Sequence, residues 1–158
     1  MPDGMVKILF ELDAADWHGG GAETLWAELL ISHGRPVFRL ANSPFCVKGI
    51  SFRDIVRASP TKYEGVYEFG EVLERGGHST FILLMKPDDA RVTSYWQQLE
   101  RAGCSYESTT ERSSVGVRTL YSVDVPPAAN LSEVFEILQA GLDDDVWLVQ
   151  EGYAHRSD

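Results

Sequence analysis

The stretch Thr80–Ala102, TFILLMKPDDARVTSYWQQLERA, decides the fold. Its first six residues are a short apolar run of strand length. Pro87-Asp88-Asp89 then supplies a turn and a helix N-cap, and Val92, Trp96 and Leu99 fall three or four apart on one stripe of a helix over about 90–102, with Trp96 placed in the core. Gly103 is the natural stop for that helix. Two strands follow, over 105–110 and 117–125, joined by a turn at Ser113-Ser114-Val115-Gly116. Asn130 and Glu133 then stand at the spacing of a capping box, and Leu131, Val134, Phe135 and Leu138 form the apolar stripe of a second helix, which Gly141 is expected to end. A last strand, Val146–Val149, is expected at the centre of the sheet. The order strand, helix, two strands, helix, strand is a ferredoxin-like βαββαβ unit over 80–158.

Upstream of residue 80 the rhythm differs. Short runs at 6–12, 23–30, 36–40, 50–57 and 67–74 alternate with turns at Gly19–Gly21, His33-Gly34, Asn42-Ser43-Pro44 and Ser59-Pro60. Five such strands predict a small antiparallel, barrel-like sheet over 1–79, either SH3-like or a curled sheet, in which closure would protect the edges. The whole is an α+β protein of two subdomains, long enough at 158 residues to bury a core without staples.

Composition narrows the function. The formal net charge is −10, and residues 81–158 carry 6 Lys/Arg against 13 Asp/Glu. No basic patch interleaved with aromatics is present, so nucleic acid is not an expected partner. No apolar run reaches bilayer length, the N-terminus lacks a secretory pattern, and Cys46 and Cys104 lie far apart, which together predict a cytoplasmic protein with reduced thiols and no membrane role.

No motif specifies chemistry. Gly19–Gly21 lacks the lysine and helix of a phosphate loop. Asp143-Asp144-Asp145 occupies a predicted turn where adjacent side chains diverge, so no metal is expected, and no cofactor is implied. Catalysis by His78 would require Cys46, or an acid, brought to it by the fold. Trp17, Trp26 and Tyr63 are the candidate recognition aromatics, Trp26 better suited to the core.

The run Asn42–Val56 (NSPFCVKGISFRDIV), with Gly76–Thr80 (GGHST) and Glu23–Ala27 (ETLWA), resembles a family of small bacterial proteins known as a domain of unknown function. The resemblance covers most of the chain and implies a bacterial, cytosolic, stand-alone protein. Its matching residues are Trp26, Asn42, Pro44, Phe45, Gly49, Asp54, Gly77, His78, Ser79 and Thr80, which either delimit a groove between the halves or encode turns and a seam. The leading functional expectation is a non-enzymatic binding protein, of immunity or antitoxin type, docking a basic protein through its acidic C-terminal half, with Asp143, Asp144 and Asp145 as the partner-facing surface. The alternative is a small-molecule-binding protein or enzyme with a pocket at the seam near His78, drawing on Asn42, Phe45, Cys46 and Ser79.

Overall fold

The computed structural model describes residues 4–16, 20–113 and 116–156. Trp17, Gly19 and, from the turn expected at 113–116, Ser114 and Val115 lie outside the described residues. Five strands make up the N-terminal half: β1 (Met5–Glu11), β2 (Ala22–Ser32), β3 (Arg35–Leu40), β4 (Ile55–Pro60) and β5 (Val66–Glu74). Alternation along them aims Ile8 and Phe10, Leu25 and Ala27, Phe38 and Leu40, and Val56 into one core, where Phe10 meets Phe69 and Phe38 meets Tyr67 at ring separations of 4.8 and 4.7 Å.

Two expectations for this half are corrected. The sheet is not the all-antiparallel, SH3-type arrangement: successive strands pair antiparallel, but β5 returns to lie parallel to β1, with Ile8 opposite Tyr67, so the five strands close on themselves through a parallel seam. The strand expected at 50–57 begins only at Ile55. Residues 50–54 alternate in polarity as a strand would, yet Ser51 and Asp54 are buried and Arg53 has φ 71°. Their polar groups bond to each other and to neighbouring backbone, which folds the segment into a turn.

The C-terminal half contains β6 (Ser79–Met85), α1 (Arg91–Arg101), β7 (Ser105–Ser113), β8 (Gly116–Val125), α2 (Leu131–Asp143) and β9 (Leu148–Tyr153). Its four strands are ordered β7-β8-β6-β9, all neighbours antiparallel. The last strand is therefore at an edge, and β6 and β8 are central. Phe81, Leu83 and Met85 face the helices and pack with Val92, Leu99, Val134 and Leu138. Thr80 and Ile82, on the opposite face, are equally buried, which is why the run at 80–85 is apolar without alternation. Trp96 is half-buried, edge-on to Tyr106 and Tyr121.

The helix ends show which local signals act. Asn130 caps α2, its Oδ1 accepting from the Glu133 N–H at 3.1 Å. α1 has Ala90 at its N-cap position with no side-chain cap; Asp89 instead accepts the Arg91 N–H and binds its guanidinium. Gly103, at φ 102°, terminates α1 as expected. Gly141 does not end α2, which continues to Asp143. It is buried against Trp147, whose Nε1–H donates to the Leu138 carbonyl at 3.0 Å, and a Cβ at 141 would sit 2.3 Å from Trp147 Cε2.

The two halves are tied by the 42–54 segment and the Arg75–Thr80 segment. The carboxylate of Asp54, 0% exposed, accepts from Ser51 N–H (3.0 Å), Gly76 N–H (2.9 Å) and Arg75 Nη1 (3.1 Å), and the same guanidinium reaches Gly49 O and lies over the Tyr153 ring at 3.8 Å. Gly49 N–H donates to Gly152 O, Thr80 Oγ1 to Ser51 Oγ, and Ser122 Oγ to Pro44 O.

Two stability measurements follow. Ala in place of a helical glycine ordinarily stabilises by up to about 1 kcal/mol, but Gly141→Ala is expected to destabilise by about 2 kcal/mol through the clash with Trp147; a raised midpoint in urea would refute the packing described. Asp54→Ala is expected to cost about 3 kcal/mol, since it strands the buried Ser51 N–H, the part-buried Gly76 N–H and a guanidinium. A loss below about 1 kcal/mol would mean that the seam does not depend on this carboxylate.

Candidate functional site

The register of β7 against β8 places Ser105 opposite Asp124 and Glu107 opposite Ser122. All four project from the sheet face turned away from the helices, because Tyr121 and Val123 between them join the helix-side core. Across from that face runs the 42–54 segment. Between the two lies an open cleft of about 180 Å³, lined by Ser43 and Phe52 from one side and by Ser105, Glu107, Ser122 and Asp124 from the other.

His78 stands behind Asp124. Its Nδ1 is 2.8 Å from Asp124 Oδ1, the two side chains are 11% and 14% exposed, and Phe52 packs edge-on to the imidazole at 5.2 Å. With the carboxylate ionised, Nδ1 carries the proton and donates it. The acid that a working His78 requires is therefore Asp124, 46 residues away in sequence. Burial raises the Asp124 carboxyl above its ordinary range, an effect that the contact with His78 only partly offsets. Glu107 is raised as well, by burial and then by the neighbouring Asp124 charge. No basic side chain lines the cleft among the described residues.

The other residues selected from sequence are placed as follows. Asn42 Oδ1 accepts the Trp26 N–H at 2.8 Å. The N–H groups of Phe45, Cys46 and Val47 converge on the Glu23 carboxylate at 2.7, 3.0 and 2.9 Å, a backbone cradle for an anion filled from within the chain. The Cys46 thiol is pushed up to about 12, first by burial and then by Glu23, Glu111 and Asp16, so it is a protonated thiol, and no hydrogen bond joins it to His78 among the described residues. Ser79 Oγ accepts the His155 N–H at 2.8 Å. Trp26 is half-buried beneath Lys7, whose Nζ is 5.0 Å from the ring, and Tyr63 is exposed.

The three acids occupy the end of α2 and the turn after it. Asp143 accepts from Gln139 Nε2, Asp144 from the Tyr95 hydroxyl, and Arg91 donates to the Asp144 and Asp145 carbonyls. The Asp144 carboxylate and the Asp144 and Asp145 carbonyls tie this end of α2 to α1, while Asp143 bonds within α2. Among the described residues no three His, Cys, Asp or Glu side chains gather as a metal site, and no helix is long and apolar enough to cross a membrane.

Asp124, Glu107 and Glu23 were not singled out from sequence. Asp124 carried a usable signal, being an acid inside the otherwise apolar strand end Val123-Asp124-Val125. Glu107 carried none, since it lies in a polar edge strand where an acid is ordinary.

Fold and cleft together define a class, that of small α+β proteins in which a closed N-terminal sheet leans on the open face of a two-helix sheet. Residues 23–149 match the family described as a domain of unknown function (DUF4265), and the chain belongs to that family. Among solved structures it is similar to a hypothetical protein from Neisseria gonorrhoeae, at a TM-score of 0.71 and 15% identity over 96% of each chain, a likeness of fold. No curated protein matches the chain.

Both thiols give a direct check on the electrostatics. Cys104 is also pushed up to about 12, chiefly by burial. Against thiols at 9.0, the thiolate fraction near neutral pH falls about a thousandfold. Native protein is expected to react with a disulfide reagent correspondingly slowly and to reach the ordinary rate only in denaturant. Fast native labelling at Cys46 would reopen a nucleophilic role for it.

Proposed function

We propose that this chain binds a small organic cation, with the seam cleft as the binding site. The observation that carries this reading is the pair of carboxylates, Asp124 and Glu107, held on one sheet face of a cleft without a basic side chain among the described residues. Burial raises Asp124, and Glu107 is raised by partial burial and by the Asp124 charge, so a cation arriving between them would favour the ionised form of both. His78 acts as a positioning residue that fixes the orientation of Asp124, and the ring of Phe52 supplies an apolar wall. Ser43, Ser105 and Ser122 add small polar groups around a volume that suits a ligand of few heavy atoms.

Docking of a basic protein on Asp143, Asp144 and Asp145 has less support. Asp143 and Asp144 already accept hydrogen bonds from Gln139 and Tyr95, and the run joins α1 to α2.

The test is thermal unfolding of the full chain with propylamine, 1,4-diaminobutane and, as controls, propanol and sodium chloride. The amines are expected to raise Tm in a concentration-dependent way, and Asp124→Asn is expected to remove most of that rise. Affinity should increase with pH through a range above that of ordinary carboxylates, as the two raised groups lose their protons, and fall as the pH is lowered through it. Equal effects of amine and sodium, or an amine effect that survives both Asp124→Asn and Glu107→Gln, would sink the proposal.

A further inference from the structure

Ser43 lines the seam cleft from the side of the 42–54 segment and is 5% exposed. The residues beside it are committed elsewhere: Asn42 Oδ1 accepts the Trp26 N–H, and the Pro44 carbonyl accepts from Ser122 Oγ. The Ser43 hydroxyl has no hydrogen-bond partner among the described residues, and its oxygen is not sealed from solvent. A buried hydroxyl is ordinarily paired, so one left open on the wall of a cleft asks for a partner from outside the chain. Resting on the cation reading of this cleft, we propose that the ligand is a primary ammonium ion and that Ser43 selects it, its Oγ accepting one ammonium N–H.

A primary ammonium carries three N–H donors, and the cleft offers acceptors to match. His78 takes Asp124 Oδ1 and leaves Oδ2 open, and the Glu107 carboxylate accepts no hydrogen bond among the described residues. Both stand on the sheet wall, and Ser43 faces them from the other wall, so the three acceptors surround the space between. A quaternary ammonium has no N–H, and would leave the Ser43 hydroxyl unpaired. Sites for such ions rely instead on open aromatic faces. The two rings that line this cleft are engaged already: the Arg53 guanidinium lies over Phe52 at 6.0 Å, with His78 edge-on to the same ring at 5.2 Å, while Tyr106 stacks on Tyr121 at 4.1 Å and meets Trp96 at 4.3 Å. The walls therefore read N–H donors and offer no cage for methyl groups.

The test is titration of the ¹⁵N-labelled full chain at about pH 8, where an alkylamine is still protonated, with propylamine and with trimethylpropylammonium at matched ionic strength. Binding is followed through the amide resonances of Ser43, Ser105 and Asp124. Propylamine is expected to shift them saturably and to bind about tenfold more tightly than its trimethyl analogue. Ser43→Ala removes a hydroxyl that holds no hydrogen bond, so the remaining amide spectrum is expected to stay in place. That variant is expected to weaken propylamine about fivefold and to leave the trimethyl ion unaffected. Equal affinities of the two ions, or propylamine binding unchanged in Ser43→Ala, would overturn the selection by Ser43 while the cation reading stands, provided that Asp124→Asn still abolishes binding. Absence of saturable shifts with either ion would remove the cation reading and this selection with it.

Discussion

The Asp54 carboxylate is the constraint on which the arrangement of the two halves rests. A charge with no exposure to water is tolerable only where every lone pair in reach of a donor is used. Here the donors come from two separate stretches: Ser51 in the turn, and the adjacent Arg75 and Gly76 in the connection between the fifth and sixth strands. Satisfying the charge therefore fixes where the closed N-terminal sheet hands the chain to the second sheet. Gly76 must be glycine for the same reason, since a Cβ there would meet the Arg53 carbonyl oxygen at 2.6 Å.

Once that junction is set, the rest of the seam follows from geometry. The 42–54 segment lies across the open face of β6 and β8, where Ser51 and Pro44 accept from Thr80 and Ser122. It is stiffened from behind by Glu23, which gathers three consecutive N–H groups, and by Asn42, which holds Trp26 N–H. Covering only part of the sheet leaves the β7 side open, and there the seam becomes a cleft with Glu107 and Asp124 on its wall. Pro44, Gly49, Asp54 and Thr80 are thus hydrogen-bonding parts of the seam, and the cleft is what the seam leaves uncovered.

The second half was readable where a signal was local. Asn130 caps within three residues, Gly103 needs only its own φ, and the stripe of Val92 and Leu99 follows helical period. Reading failed wherever one residue type serves two purposes. Gly141 looks like a helix stop but is small to admit the indole of Trp147; Ile50–Asp54 looks like a half-exposed strand because its polar residues are buried acceptors and donors. The parallel return of β5 to β1 has no sequence mark, since alternation is blind to the direction of a partner strand. The site was less legible still. His78 could be named, but its partner could not, because an Asp–His contact across 46 residues is a product of strand order alone.

The Gly77-His78-Ser79 triplet divides its contacts between the two faces of the sheet. Successive residues entering a strand point to opposite faces, so His78 reaches Asp124 on the side of the N-terminal sheet while Ser79 reaches His155 on the side of the helices. Asp124 and Val125 divide in the same way, the first lining the seam cleft and the second joining the helix-side core. The apolar run of β6 lies in the middle of the sheet, and the cleft carboxylates stand beyond it on the seam face at the β7–β8 side. The net charge of −10 is then a poor guide to the cleft, because what meets a ligand there is set by the few side chains that face it.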